Sequence, residues 1–280
     1  KIISGLPQCL EGQEAMGWKD AAKAILTTDL VSKSSSRQVS LDGHLVSVTG
    51  IAKGSGMIKP NMATMLAFVA TDANVSTECL TDIVNYACER TFNRITVDGD
   101  TSTNDSFMLI ATGDGDKNKI NSILDSSFLI LRDEITAVCE ELAKKIVLDG
   151  EGATKFIEIT VDGAASVEEA RKVGFSVANS PLVKTAFFAS DPNLGRILSA
   201  VGAADVSALD VSNVRLKIGN ILVVENGAPA LNYQESDIKP LMEADKILVN
   251  IDLARGAESA TIWTCDLSHD YVKINADYRS

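Results

Sequence analysis

Histidine, aromatic side chains and positive charge are all scarce in this sequence. Only His44 and His269 represent histidine among 280 residues, and aromatic residues make up 5%. Two distant histidines and five scattered cysteines (Cys9, Cys79, Cys88, Cys139 and Cys265) offer neither metal-ligand spacing nor a C-x-x-C pair. No zinc knuckle or disulfide framework is indicated, and a reducing compartment fits best. Lys and Arg number 26 against 38 Asp and Glu, for a net charge of −12. A chain with no basic excess lacks the phosphate contacts of a nucleic-acid binder and the patch that draws a protein to an anionic membrane. The longest apolar runs, such as Met65–Ala70 and Phe107–Ala111, fall far short of the ~20 residues that span a bilayer. The chain opens at Lys1, without Met, directly into an apolar segment, and an upstream part is expected.

What remains is an ordinary folded composition, 45% hydrophobic and 23% charged, long enough for one large domain or two. Helical spacing of Ala15, Trp18, Ala22, Ile25 and Leu26 predicts a helix over Gly12–Leu30, and the polar stretch Lys33–Gln38 reads as an exposed loop. Strands are expected at His44–Thr49, Met65–Thr71 and Phe156–Asp162. Ser76 or Thr77 caps a helix running to Asn93, Arg132–Leu148 is amphipathic, and Ser166-Val167-Glu168-Glu169 is a capping box. Asp191-Pro192 reads as N-cap and first residue of another helix. Gly219-Asn220 between Val214–Ile218 and Ile221–Glu225 is a hairpin signal, and Lys246–Leu253 with Ser259–Asp266 suggests a second antiparallel pair. Strands and helices alternate without a regular βαβ rhythm, so the fold class is α+β, helices layered on sheets. A nucleophile-bearing domain is expected over 1–162 and a smaller C-terminal α/β domain over 163–280.

Two segments invite chemistry. Gly54-Ser55-Gly56 resembles a phosphate loop, but Lys59 and Pro60 stand where the P-loop requires Gly-Lys, and Lys59 replaces the third glycine of the dinucleotide fingerprint. A flexible turn remains the alternative. The run Asp98–Asp105 fails as an EF-hand, with Thr103 at the glycine position and Leu109 at the final glutamate position. A hydrogen-bonded turn network of short polar side chains is the better description. Either histidine could act as a base, but a surface or structural role fits each better. Thr64, where the Gly-rich segment enters an apolar strand, reads by itself as an ordinary strand-start threonine.

Longer motifs change that. Leu26-Thr27-Thr28-Asp29, Lys53-Gly54-Ser55-Gly56-Met57, Pro60-Asn61-Met62-Ala63-Thr64-Met65-Leu66, Asn93–Asp105, Glu151-Gly152-Ala153-Thr154-Lys155, Asp191–Ile197 and Tyr271–Ser280 occur in the order found in one family. On these the sequence resembles the ornithine acetyltransferases, or bifunctional glutamate N-acetyltransferases, of arginine biosynthesis. The resemblance implies an α/β sandwich like that of N-terminal-nucleophile hydrolases and self-cleavage between Ala63 and Thr64. It also implies a ping-pong transfer of acetyl from N-acetylornithine to glutamate. Thr64 becomes nucleophile and new N-terminus together, and its freed amine serves as its base. Thr27, Lys53, Thr64, Glu151, Asn275 and Ser280 are then expected to line the substrate site, with Glu151 facing an amine and Lys53 a carboxylate. No cofactor or metal is implied, though acetyl-CoA is an open second donor. Two α and two β chains are expected to assemble, in the cytoplasm or, for a eukaryotic source, the mitochondrial matrix. The family's oxyanion-hole Thr-Gly pair lies upstream of Lys1, and Leu194 stands where the family has Trp. A hydrolytic amidohydrolase or a non-catalytic binding protein are the rival functions.

Overall fold

A computed structural model describes residues 17–59, 65–113 and 119–277, together with Ile3, Gly5, Pro7 and Gln8. In chain order its elements are α1 (Gly17–Ala24), β1 (Lys33–Leu41), β2 (His44–Lys53), β3 (Leu66–Thr71), α2 (Thr77–Arg90), β4 (Ser106–Ala111) and α3 (Ser126–Leu148). They continue with β5 (Phe156–Ala164), α4 (Val167–Ala178), α5 (Pro181–Phe188), α6 (Leu194–Gly202), β6 (Arg215–Ile218), β7 (Ile221–Glu225), β8 (Ala228–Pro229), α7 (Glu235–Glu243), β9 (Lys246–Asp252), β10 (Glu258–Cys265) and α8 (His269–Asp277).

Two sheets result. The first has the order β1-β2-β3-β4, with β3 and β4 parallel and the other neighbours antiparallel. The second has the order β10-β5-β9-β6-β7-β8, with β5 and β9 parallel. The α3 helix lies on β1 and β2 and packs against α2; Leu131, Ile135, Val138, Leu142 and Ile146, at helical spacing, are fully buried with Val48, Ala52, Val69 and Ile83. A second core gathers Ile157, Ile159 and Val161 of β5 with Val173 and Val177 of α4 and Val249 and Ile251 of β9. Phe156, Trp263 and Cys265 belong to the first core, so β5 and β10 join the two. Residue 162 therefore falls within a strand of the second sheet.

Side-chain caps form at Ser76, whose hydroxyl accepts from the Cys79 amide, and at Ser166, which accepts from Glu169. The Gly219-Asn220 hairpin is present. Four expectations differ. The expected first helix is described only from Gly17, and it ends at Ala24 because the backbone turns there to bring Thr27–Asp29 against the β2 turn. The Lys33–Gln38 stretch is a strand, not a loop. Its polar side chains are satisfied by the flank of α3, where Ser35 Oγ and Arg37 Nη2 donate to Glu141 at 2.6 and 2.7 Å. The Asp191-Pro192 helix begins two residues later, capped by Asn193, whose side chain accepts from the Arg196 amide. Finally, β9 and β10 do not pair with each other. The β5 strand separates them, antiparallel to β10 and parallel to β9, so the buried backbone of β5 finds hydrogen-bond partners on both edges.

Candidate active site

The site is built on the turn that leaves β2. Gly54 takes a positive φ of +143°, and a Cβ there would stand 2.9 Å from Ile58 Cδ1, so the turn needs glycine for both conformation and space. At Gly56 a Cβ would run into the Glu151 carboxylate, which would have to shift aside. Glu151 thus lies directly over the Gly56 backbone, and its amide donates to Ser55 O at 2.8 Å. From α8, Asn275 Nδ2 donates to Glu151 Oε2 at 2.8 Å. On the facing wall, the Thr28 and Ser55 hydroxyls share a 2.7 Å hydrogen bond. Thr27, Thr28, Lys53, Ser55, Glu151 and Asn275 line a cavity of about 230 Å³.

Three polar anchors fix these walls. The first is a buried ion cluster: Lys33 Nζ lies 2.5 Å from Asp29 Oδ1 and 2.6 Å from Asp149 Oδ2, with no side chain more than 5% exposed. Asp29 Oδ1 also accepts from the Gly54 amide at 2.7 Å, and Asp149 Oδ2 from the Leu30 amide at 3.0 Å. Burial pushes the Asp29 carboxyl up, but the Gly54 amide and the bond and charge of Lys33 outweigh it and hold Asp29 below the usual carboxylate range. The cluster joins β1, the end of α3 and the Thr27–Thr28 segment to the turn.

The second anchor is Asp98, at the head of the polar run. It accepts from the Met57 and Ile58 amides at 2.6 and 3.0 Å and from the Tyr271 hydroxyl at 3.2 Å. Burial, followed by the Asp98 charge, pushes the Tyr271 phenol upward, so it acts as a neutral donor. The third is Asp266, after β10, which accepts from the Thr154 and Lys155 amides at 2.8 and 2.9 Å. Ser268 Oγ adds a 2.6 Å bond to Gly152 O. These bonds place the Glu151 loop and the start of α8 together.

Of the expected site residues, Thr27, Lys53, Glu151 and Asn275 share this cavity. Ala63, Thr64 and Ser280 lie outside the described residues. Lys53 pairs with Leu66 across β2 and β3, so β3 starts beside a cavity-lining lysine. Sequence reasoning missed Thr28, Ser55, Asp29, Lys33 and Asp149. Thr28, Asp29 and Ser55 fall within the quoted motifs, whereas nothing local marks Lys33 or Asp149. His44 is exposed at the start of β2, and His269 is exposed with its ring edge-on to Phe188; neither lines the cavity. Leu194 is half-buried against the second core. Among the described residues no helix is long and apolar enough to cross a membrane.

Comparison with known proteins places this arrangement. The sequence profile of the ArgJ family matches residues 1–280. Two curated relatives from Neisseria gonorrhoeae, each an arginine biosynthesis bifunctional protein ArgJ, are 53% and 52% identical over 281 residues, which takes in all of this chain and 68% of each relative. The crystal structure of the arginine biosynthesis bifunctional protein ArgJ from Bacillus halodurans, at 2.00 Å, superposes with a TM-score of 0.73 at 38% identity, covering 77% of this chain and 100% of that one. The layered sheets and helices are those of the N-terminal-nucleophile-like fold. With the profile spanning every residue, and relatives above half identity matched along the whole chain, this protein belongs to the ArgJ family of acetyltransferases.

Proposed function

We propose that this chain carries a self-processing threonine acetyltransferase, moving the acetyl group of N2-acetylornithine to glutamate through an acetyl-enzyme. The observation that supports it is one cavity lined by an ammonium (Lys53), a carboxylate (Glu151), an amide (Asn275) and a hydroxyl (Thr27), next to the strand entered from Thr64. N2-acetylornithine has a carboxylate at one end and an ammonium at the other, so Lys53 and Glu151 are the complementary pair. Cleavage before Thr64 frees an α-amine, which titrates at ~7.7–8.0 in model peptides and is partly free base at neutral pH. That amine takes the Thr64 hydroxyl proton as the oxygen attacks the acetyl carbonyl. Ornithine leaves with the proton on its nitrogen, and the acetyl ester remains. The glutamate amine then attacks the ester and restores the hydroxyl. On this proposal the oxyanion is held by the family's upstream Thr-Gly pair. We further place the enzyme in the cytoplasm, as its relatives are bacterial, working as two processed α/β pairs.

Full-length protein given N2-acetylornithine and glutamate should yield ornithine and N-acetylglutamate in equal amounts. Ornithine accompanied by free acetate, with no need for glutamate, would make the protein a hydrolase instead. Replacing N2-acetylornithine by acetyl-CoA in the same assay decides whether the thioester is a second donor.

Two variants probe the carboxylate. Glu151→Ala should raise KM for N2-acetylornithine by roughly 10- to 100-fold, the scale of one lost charged hydrogen bond, and leave self-cleavage complete. Unchanged KM with failed cleavage would remove Glu151 from the substrate site. Gly56→Ala should produce a milder rise, about several-fold, by driving the Glu151 carboxylate off the turn. Identical kinetics to wild type would show that the carboxylate has no set position in catalysis.

A further inference from the structure

The row of paired residues at the site end of the first sheet runs Lys53, Leu66, Ser106 across β2, β3 and β4. Ser106 N donates to Met65 O at 2.9 Å, which sets Asp105 level with Met65, the residue immediately after Thr64. Both carboxyl oxygens of Asp105 are buried, and neither has a hydrogen-bond partner among the described residues. That is unlike the other acids around the site: Asp29, Asp98, Asp149 and Asp266 each accept two or more bonds that hold the fold. A buried carboxyl that accepts nothing costs stability, so Asp105 is not explained by support of the fold. Burial pushes it up to about 7, against the opposing influence of the Met65 amide, which faces it without completing a hydrogen bond, and of the Lys53 charge. Lys53 is the charged side chain acting on it among the described residues. Such a group gains and loses a proton near neutral pH, as an acid–base catalyst must.

We propose that Asp105 is the acid–base partner of the Thr64 amino group, first carrying the proton of self-cleavage and then holding the freed amine. The inference rests on Thr64 being the self-cleaving nucleophile. As Thr64 Oγ bonds to the Ala63 carbonyl carbon, the hydroxyl proton passes to the Asp105 carboxylate. As the Ala63–Thr64 carbon–nitrogen bond breaks, the same proton passes to the departing nitrogen. Water then splits the ester, its hydroxyl going to the Ala63 carbonyl and its hydrogen back to Thr64 Oγ. No other reagent is consumed. After cleavage, on this proposal, the same carboxylate accepts from the new amine and orients it toward the hydroxyl.

The test measures self-cleavage of full-length precursor. Asp105→Asn should slow it by roughly 10²- to 10⁴-fold, the usual share of a general acid–base group, and Asp105→Glu should recover part of the rate. Thr64→Ala is run in parallel. If that variant still cleaves, the nucleophile assignment fails; if it is inert while Asp105→Asn cleaves like wild type, only the role of Asp105 fails. A second measurement leaves Asp105 itself unaltered and does not depend on whether its variants fold. In wild-type protein with isotope-labelled aspartate, the Asp105 carboxyl should titrate at a lower pH after cleavage than in the uncleaved Thr64→Ala precursor, because an amine has been created beside it. An identical titration in the two forms would overturn the proposal.

Discussion

Thr64→Ala is expected to leave one uncut polypeptide with acetyl transfer reduced by roughly 10⁴- to 10⁶-fold, as when a nucleophile is deleted from a covalent enzyme. Two losses combine. Without the hydroxyl, nothing attacks the Ala63 carbonyl, so the α-amine that serves as base is never released. Without the same hydroxyl there is also no acceptor for acetyl, and a cavity that only binds and orients both substrates cannot replace the covalent step. Thr64→Ser keeps the hydroxyl and should still be cut, more slowly or faster according to how the missing methyl alters its rotamer. Intact-mass measurement gives both answers. Wild type should show two chains and, with N2-acetylornithine alone, one added acetyl on the peptide that begins at Thr64. Two chains in the alanine variant, or an acetyl found on a different peptide, would end the assignment.

Lys33→Met is expected to destabilise the fold by about 3–5 kcal/mol, because it strands two buried carboxylates. Lys33 is completely buried, and it is the cation shared by Asp29 and Asp149. Methionine fills similar space, so the loss is electrostatic and not a cavity effect. For a chain of 280 residues this corresponds to a fall in Tm on the order of 10 °C.

The pH dependence has a definite sign. Asp29 is depressed in the folded protein, so its contribution is present above the unfolded carboxylate value of ~3.9 and lost as pH falls through the lower folded value. Without Lys33, burial acts on Asp29 with only its amide donors opposing, so its folded value rises, less stability is lost through it on acidification, and the deficit of the variant relative to wild type narrows as pH falls. Urea midpoints at neutral pH and near pH 4 test both claims. A midpoint within experimental scatter of wild type at neutral pH would mean that the cluster contributes no net stability. Because Asp29 also holds the Gly54 amide, the variant should loosen the Thr27–Thr28 wall and weaken substrate binding before it unfolds.

How far the sequence could be read depended on whether a residue's partner was near in the chain. The α3 helix and its buried face followed from helical spacing, the caps at Ser76 and Ser166 from a hydroxyl three residues ahead of its donor, and the β6–β7 hairpin from Gly219-Asn220. The β1 strand was hidden because its partners are remote. Ser34, Ser35 and Ser36 carry no alternating apolar signal, and only pairing with β2 and contact with Glu141 and Lys145 on α3 make a strand of them. The same distance hid the site anchors. Asp149 is 116 residues from Lys33, and Asp98 is 173 from Tyr271.

From composition and local periodicity came the absence of a basic excess and the class of fold, and from motifs that resemble one family came that family and, as its implication, the candidates Thr27, Lys53, Thr64, Glu151, Asn275 and Ser280. Only the folded chain decided that a lysine in a serine-rich stretch is an interior cation, that β5 comes between β9 and β10, and that the Glu151 carboxylate rests on Gly56. Short-range propensity acts over a few residues, whereas burial of charge and choice of strand neighbour are energies of surfaces that meet only after the backbone has closed on itself.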